Sequence, residues 1–273
     1  MPELPEVETV RRVLKTEIIS QTINSVEIRY DKIIDEDKNV FISNVTGKTF
    51  KDIKRLGKFL IFELNEGFIV SHLRMEGKYF YLPEGSLDNK HIHVIFHLSN
   101  GYQLMYQDVR KFGRMVYKTS AELYTTKPLN EVGIDIILEK EIDINQVYGK
   151  IIRKHKEIKT VLLDQSILAG LGNIYVDEVL YKTHINPTRF ADTITLDEVK
   201  SIVLEAKCIL ECAILHKGTT IRSYTSSLGV EGEYQNFLCV HTKDVCPCCK
   251  NKLTKIKING RTSYYCSNCQ RWY

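Results

Sequence analysis

With 273 residues, 43% of them hydrophobic and 26% charged, and a formal charge of +4, the chain has the make-up expected of a soluble globular protein with room for two domains. No apolar run approaches the roughly 20 residues that cross a bilayer, and the first residues lack the basic and apolar regions of a signal peptide, so a cytoplasmic protein is expected. Eight cysteines in such a compartment point to metal binding rather than to a disulfide framework.

The chain opens Met1-Pro2-Glu3-Leu4-Pro5-Glu6. Removal of the initiator methionine would expose Pro2 as a secondary amine. An α-amino group titrates near 7.7–8 where lysine sits near 10.4, which makes Pro2 a candidate nucleophile for Schiff-base chemistry, with Glu3 and Glu6 as nearby proton donors. An ordinary helix leader is the alternative. Val7, Val10, Val13, Leu14 and Ile18 recur at three- and four-residue spacing and predict an amphipathic helix.

From Ile23 to about Tyr117 the period becomes two. Strands are predicted at 22–30, 59–64, 68–72, 79–82, 92–98 and 102–106, with turns at Asn65-Glu66-Gly67 and Asn100-Gly101, the latter read as a type I′ hairpin. This is an antiparallel β-sandwich with a flanking helix. Lys58 follows Arg55-Leu56-Gly57 at the entry to a strand and is a proton-donor candidate only if that entry lies near Pro2. Met75, before a glycine at a strand end, is either a core residue or a wedge for a base stack. Arg110, Lys111 and Phe112 combine cations with an aromatic ring on a second loop, which is either a capping loop or a surface for DNA. His91, His93 and His97 share a strand face in a period-two reading, as a metal site, a polar face or a phosphate contact through His91.

Thr125–Leu129 ends the first domain, and helices are predicted at 145–154, 158–167, 175–183 and 196–216. Between the second and third lies Gly170-Leu171-Gly172-Asn173, a simple turn or an anion-holding helix start. Residues 150–159 carry five Lys/Arg, among them Lys154 and Lys159, against one Glu, and 243–273 carry seven against one Asp; such patches suit a polyanion or a solvated face. At the C-terminus, Cys246-x2-Cys249 and Cys266-x2-Cys269 have the spacing of one closed, structural zinc site around a strand, an Asn259-Gly260 turn and a second strand. Cys248 is a possible competitor for a ligand position, and Arg261 follows the turn, where a rigid hairpin presents a cation. The fold class is therefore α+β: residues 1–126 a sandwich, 127–137 a linker, 138–238 helical, and 239–273 the zinc hairpin.

Taken in order along essentially the whole chain, the opening Met1–Thr9, Lys58, His72-Leu73-Arg74-Met75, Arg110-Lys111-Phe112-Gly113, Gly172-Asn173-Ile174-Tyr175 and the cysteine hairpin resemble bacterial formamidopyrimidine-DNA glycosylase. The resemblance implies a monomeric, nucleoid-associated repair enzyme with a helix–two-turn–helix domain. It would bind double-stranded DNA, flip out and remove oxidised purines, and cleave the strand by β,δ-elimination. By that family's mechanism Pro2 attacks C1′, Glu3 donates a proton, and Lys58 and Arg261 assist the two eliminations. Met75, Arg110 and Phe112 fill the vacated space; Asn173, Lys159 and Arg261 hold phosphates; residues from about 218 to 234 cap the lesion. Val109 and Lys111 depart from the family's usual Pro and Arg, and Asn130-Glu131-Val132-Gly133 lacks the usual proline turn. The competing readings are an endonuclease VIII-type enzyme for oxidised pyrimidines, whose leader usually has Gly in place of Leu4, and a non-catalytic zinc DNA-binding protein, which would not need Pro2, Glu3 and Lys58 together.

Overall fold

The computed structural model describes residues 2–219 and 232–271, which fall into two compact units: 2–130 with 217–219 and 232–233, and 131–216 with 234–271. Most of the segment expected to cap a lesion lies outside the described residues. Among them, no helix is long and apolar enough to cross a membrane.

The first unit begins with helix α1 (Leu4–Ile18). Pro5 in its first turn forfeits an amide that would have no helical partner, and the Glu3 backbone N–H donates to the Glu6 carboxylate at 2.8 Å, half of a capping box. Val7, Val10, Leu14 and Ile18 form one buried face, each worth about 1.5–3 kcal/mol of burial. Two antiparallel sheets follow, in the orders β2-β3-β4-β8 and β1-β6-β7-β5. Their strands are β1 (Ile23–Ile28), β2 (Phe50–Leu56), β3 (Phe59–Leu64), β4 (Phe68–His72), β5 (Lys78–Pro83), β6 (Ile92–Leu98), β7 (Tyr102–Gln107) and β8 (Arg114–Lys118), with helix α2 (Lys38–Val45) after β1. Between the sheets, rings pack edge-on or tilted from Phe50 through Phe62 and Tyr79 to Tyr106 at centroid separations of 5.9, 5.4 and 5.2 Å.

Chain hairpins depart from the sequence reading at one turn. Gly101 alone takes a positive φ, +79°, in the three-residue connection 99–101, so it is not the type I′ turn expected; Asn259 and Gly260, at +44° and +74°, do form one. Strand β2, absent from the expected set, carries Lys51, Asp52, Lys54 and Arg55 and bulges at its start, which hides the alternation.

The second unit contains α3 (Ile144–Ile151), α4 (Ile158–Leu162), α5 (Asn173–Lys182) and α6 (Leu196–Leu215), a short parallel pair β9 (Ile134–Asp135) and β10 (Leu168–Ala169), and the hairpin β11 (Thr254–Ile258) and β12 (Arg261–Tyr265). Thr195 and Glu198 cap α6 reciprocally. The hairpin, given its own boundary at 239 from sequence, packs with α5 in this unit: Tyr181 shares a core with Cys246, Leu253 and Cys266.

In the first unit, Glu8 pairs with Arg11 (2.7 Å) and Arg12 (2.8 Å) of its own helix and joins α1 to the sheet through the buried Arg55 (3.2 Å), and Arg55 donates in turn to the Gly57 carbonyl at 2.9 Å. Burial by itself would push the Glu8 carboxyl up, but the hydrogen bond and charge of Arg11, the hydrogen bond of Arg12 and the charge of Arg55 outweigh it and hold the pKa at about 2. A carboxylate depressed in this way contributes stability that is complete above its unfolded pKa near 4.5 and is lost as the pH falls towards about 2. Glu8→Gln should cost roughly 3 kcal/mol near neutral pH, because the carboxylate charge that faces the buried Arg55 is removed. Urea midpoints measured against pH should show the gap to the parent protein closing over that acidic window.

Candidate catalytic N-terminus and nucleic-acid interface

In the first unit Pro2 is buried and Glu3 is only 1% exposed. The Glu6 carboxylate works at two places: one oxygen accepts from the Glu3 N–H, the other from the Thr219 N–H at 2.7 Å. Gly218 sits between them at φ +80°, and a Cβ there would come within 2.6 Å of Glu6 Oε1. Glu6 therefore fixes the N-terminus against the chain that leaves α6.

Lys58, 5% exposed, lies with Gly57 in the β2–β3 turn, which the Glu8–Arg55–Gly57 relay holds. It directly precedes β3, whose first residue, Phe59, pairs with His72 across the ladder. His72 was passed over as a site residue. Burial, followed by the charges of Arg74 and Lys58, lowers its pKa to about 3, and the Arg74 N–H donates to its Nδ1 at 2.9 Å. The neutral ring thus carries its proton on Nε2.

Two loops connect the sheets at one end of this sandwich: β4 to β5 and β7 to β8. Met75, 36% exposed, rides on the first, where Arg74 takes a left-handed conformation at φ +53°. Arg110 and Phe112 ride on the second, the guanidinium 4.8 Å from the ring centroid and Phe112 47% exposed. An arginine stacked on a half-exposed phenyl ring forms a rigid, amphipathic tip. Beneath it lies Asp108, which is fully buried. Its carboxylate accepts from the N–H groups of Arg110 (3.0 Å), Phe112 (2.9 Å) and Gly113 (2.8 Å). The Tyr106 hydroxyl stands where a Cβ on Gly77 or Gly113 would come within 2.3 or 1.6 Å, so both glycines are required by the same side chain. One buried tyrosine thereby holds the Met75 loop and the Arg110 loop together.

The three histidines do not converge. A register shift between Ile92 and Val94 breaks the alternation; His93 turns inward to Tyr30 (5.5 Å) and the Asp108 carbonyl (2.8 Å), while His97 meets Glu84 at 3.1 Å. Half-buried His91 meets the Asp108 loop through its backbone carbonyl, which accepts from the Asp108 N–H at 2.9 Å.

In the second unit Gln165 organises the turn before α5, accepting from the Gly170 N–H at 3.0 Å and donating to the carbonyls of Leu163 and Leu171 at 3.0 and 2.9 Å. Asn173 starts α5 and donates to the Thr262 carbonyl at 2.9 Å, and its Oδ1 is buried with no hydrogen-bond partner among the described residues. Lys154 and Arg261 are exposed, and Arg261 lines a cavity of about 170 Å³ with Thr160, Leu163, Asp164 and Asn259. Lys159 is a correction. It was expected to hold a phosphate, but it is fully enclosed, donating to Asp177 at 2.7 Å and to the Thr262 carbonyl at 3.1 Å. Its apolar neighbours in the sequence face the core, and the helical period carries it inward with them.

The Sγ atoms of Cys246, Cys249, Cys266 and Cys269 lie within 4.8 Å of one another, with 3.8 Å between Cys246 and Cys269 and 3.4 Å between Cys249 and Cys266. A tetrahedron of metal–sulfur bonds of about 2.3 Å has edges close to 3.8 Å, so the four thiols fit a zinc ion. Cys248 is exposed and outside the cluster. Burial opposes ionisation of Cys246, but the Tyr181 hydroxyl and the N–H groups of Cys249 and Cys248 outweigh it and lower its pKa, readying a ligand.

A family model described as the formamidopyrimidine-DNA glycosylase N-terminal domain matches residues 1–115, and one described as that family's H2TH domain matches 133–225. The chain is 44% identical to the formamidopyrimidine-DNA glycosylase of Streptococcus mutans over 275 residues, spanning 99% of this chain and 100% of the relative. It is 43% identical to that of Oceanobacillus iheyensis over 274 residues, spanning 99% and 98%. A Lactococcus lactis Fpg variant in complex with a Fapy-dG containing DNA is similar to it with a TM-score of 0.93 at 36% identity, and MutM in complex with carbocyclic 8-oxo-G containing DNA with 0.92 at 37%; each match covers 99% of this chain and 100% of the other.

Replacing Asp108 by Asn puts an N–H₂ donor against loop amides that need an acceptor. It should lower kcat/KM for excision of a damaged base about 30-fold, or about 2 kcal/mol, while cleavage of a preformed abasic site falls much less. Metal analysis should find one zinc per chain, and Cys266→Ala should release it together with duplex affinity measured by anisotropy.

Proposed function

The chain belongs to the formamidopyrimidine-DNA glycosylase family, and we propose from that premise that it removes oxidised purines, 8-oxoguanine and formamidopyrimidines, from duplex DNA and then cuts the strand at the abasic site. The observation that carries this reading is the N-terminus itself: Pro2 and Glu3 are buried at the start of α1, in the same compact unit as the exposed Met75, Arg110 and Phe112.

With Met1 removed, the Pro2 nitrogen attacks C1′ of a nucleotide turned out of the helix. The bond to the base breaks, the base leaving with the proton that the Pro2 nitrogen gives up, and Glu3 supplies a proton as the sugar ring opens at O4′. A secondary amine gives an iminium ion, which has no N–H proton to lose and keeps its positive charge. That charge draws electrons from C1′ and acidifies C2′, so loss of a C2′ proton expels the 3′ phosphate, and a second elimination expels the 5′ phosphate. Lys58 assists the first step and Arg261 the second; water then releases the sugar fragment from Pro2. Extruding a nucleotide costs a few kcal/mol of stacking, less for a damaged base, and Met75, Arg110 and Phe112 offset it by occupying the gap, with Arg110 towards the unpaired cytosine. Asn173 at the start of α5, with Lys154, His91 and Arg261, holds phosphates. A zinc ion held by the four cysteines supplies no chemistry here; it keeps the Arg261 hairpin rigid.

Single-turnover excision from an 8-oxoguanine:cytosine duplex tests the reading. Glu3→Gln keeps the size and hydrogen-bonding capacity of the cap but has no proton to give, and the rate should fall by roughly 10²–10⁴-fold. A fall of less than threefold would contradict the assignment of Glu3.

A further inference from the structure

The buried ion pair of Lys159 and Asp177 lies directly under the strand that carries Arg261. Asp177 is 1% exposed and every acceptor direction of its carboxylate is used: Oδ1 accepts from Lys159 Nζ at 2.7 Å and Ser263 Oγ at 2.8 Å, Oδ2 from His241 Nδ1 at 2.8 Å and the Tyr264 N–H at 3.2 Å. The Thr262 carbonyl, one residue from Arg261, takes Lys159 Nζ at 3.1 Å and Asn173 Nδ2 at 2.9 Å. Three consecutive residues after Arg261 are thus tied to α4 and α5 by polar bonds, with Tyr264 also packed against the apolar cluster around Tyr181.

Ser263 is fully buried, the one position of β12 that is, and it is a serine. Close packing at such a site is served equally well by an apolar side chain, and a buried ion pair is weak evidence for stability. What a saturated polar network does that apolar packing does not is select a single register, because a slip of the hairpin along α5 would leave several donors and a carboxylate unpaired. We infer that Asp177, through Ser263 and Lys159, is a positioning residue for the elimination chemistry: it fixes the distance between the start of α5, which holds phosphate through Asn173, and the Arg261 side chain. The inference rests on the proposed role of Arg261.

The test uses the full-length, zinc-loaded protein on a duplex with one abasic site, and reads the ratio of δ-elimination product, a 3′-phosphate end, to β-elimination product, a 3′-unsaturated aldehyde. Arg261→Ala serves as the reference and should abolish the δ product. Ser263→Ala, which removes one hydrogen bond without stranding a charge, should lower the δ-to-β ratio at least threefold; Asp177→Asn should lower it at least tenfold. In the serine variant the β rate and zinc content should stay within twofold of the parent, and Ser263→Thr should restore the ratio. If Arg261→Ala abolishes the δ product but Ser263→Ala and folded Asp177→Asn leave the ratio unchanged, or lower both rates in proportion, the positioning role is overturned while the reading of Arg261 stands. If Arg261→Ala itself leaves the ratio unchanged, the reading of Arg261 fails and the inference falls with it.

Discussion

A carboxylate taken out of water has to be met by hydrogen-bond donors, and in this fold the backbone supplies many of them. Glu6 collects the N–H groups of Glu3 and Thr219. Asp108 collects those of Arg110, Phe112 and Gly113. Glu178 collects those of Cys239, Val240 and His241, and Asp177 that of Tyr264 together with three side-chain donors. Glu6 and Asp108 each sit where an irregular segment bears residues of the proposed chemistry, and each converts that segment from a loop with many conformations into one with few. Helices and sheets satisfy their own backbone; loops do not, so the donors left over become the means of holding them.

The same constraint explains where strain is tolerated. Arg74 and Lys111 both adopt positive φ, which costs a non-glycine residue of order 1 kcal/mol, and they flank Met75 and Phe112. Such conformations persist because neighbouring bonds leave no alternative: Arg74 donates to His72, and Asp108 grips the loop on both sides of Lys111. Rigid, exposed side chains suit the proposed task of filling a gap in stacked bases, since little rotational freedom is lost when DNA arrives. Arg261 is exposed on its strand in the same way, beside a tight Asn259-Gly260 turn and above the fully bonded Asp177 carboxylate.

Much of this was legible in the sequence where a residue type has one dominant use. Four cysteines in two pairs announced a metal site, Pro5 and the apolar spacing announced α1, and alternation announced most of the sandwich strands. Lys159 was misread because a lysine in a basic run looks like a surface cation, and only the fold shows the helix turning it inward to Asp177. Asp108, Glu6 and His72 were passed over or underused for a related reason: their partners are backbone amides or residues far along the chain, and no spacing rule encodes those. The sites of attachment were readable from side-chain chemistry, whereas the parts that hold them in place depend on tertiary contacts.

The most direct measurement is borohydride trapping. Protein with a native N-terminus, freed of Met1, is incubated with an 8-oxoguanine:cytosine duplex and reduced, and the adduct is digested and mapped by mass spectrometry. A DNA fragment attached to the Pro2 nitrogen, and its disappearance when Met1 is retained, is the result expected if the buried N-terminus is the nucleophile. An adduct on a lysine, or none while duplex binding and Met1 removal are both verified, would contradict it.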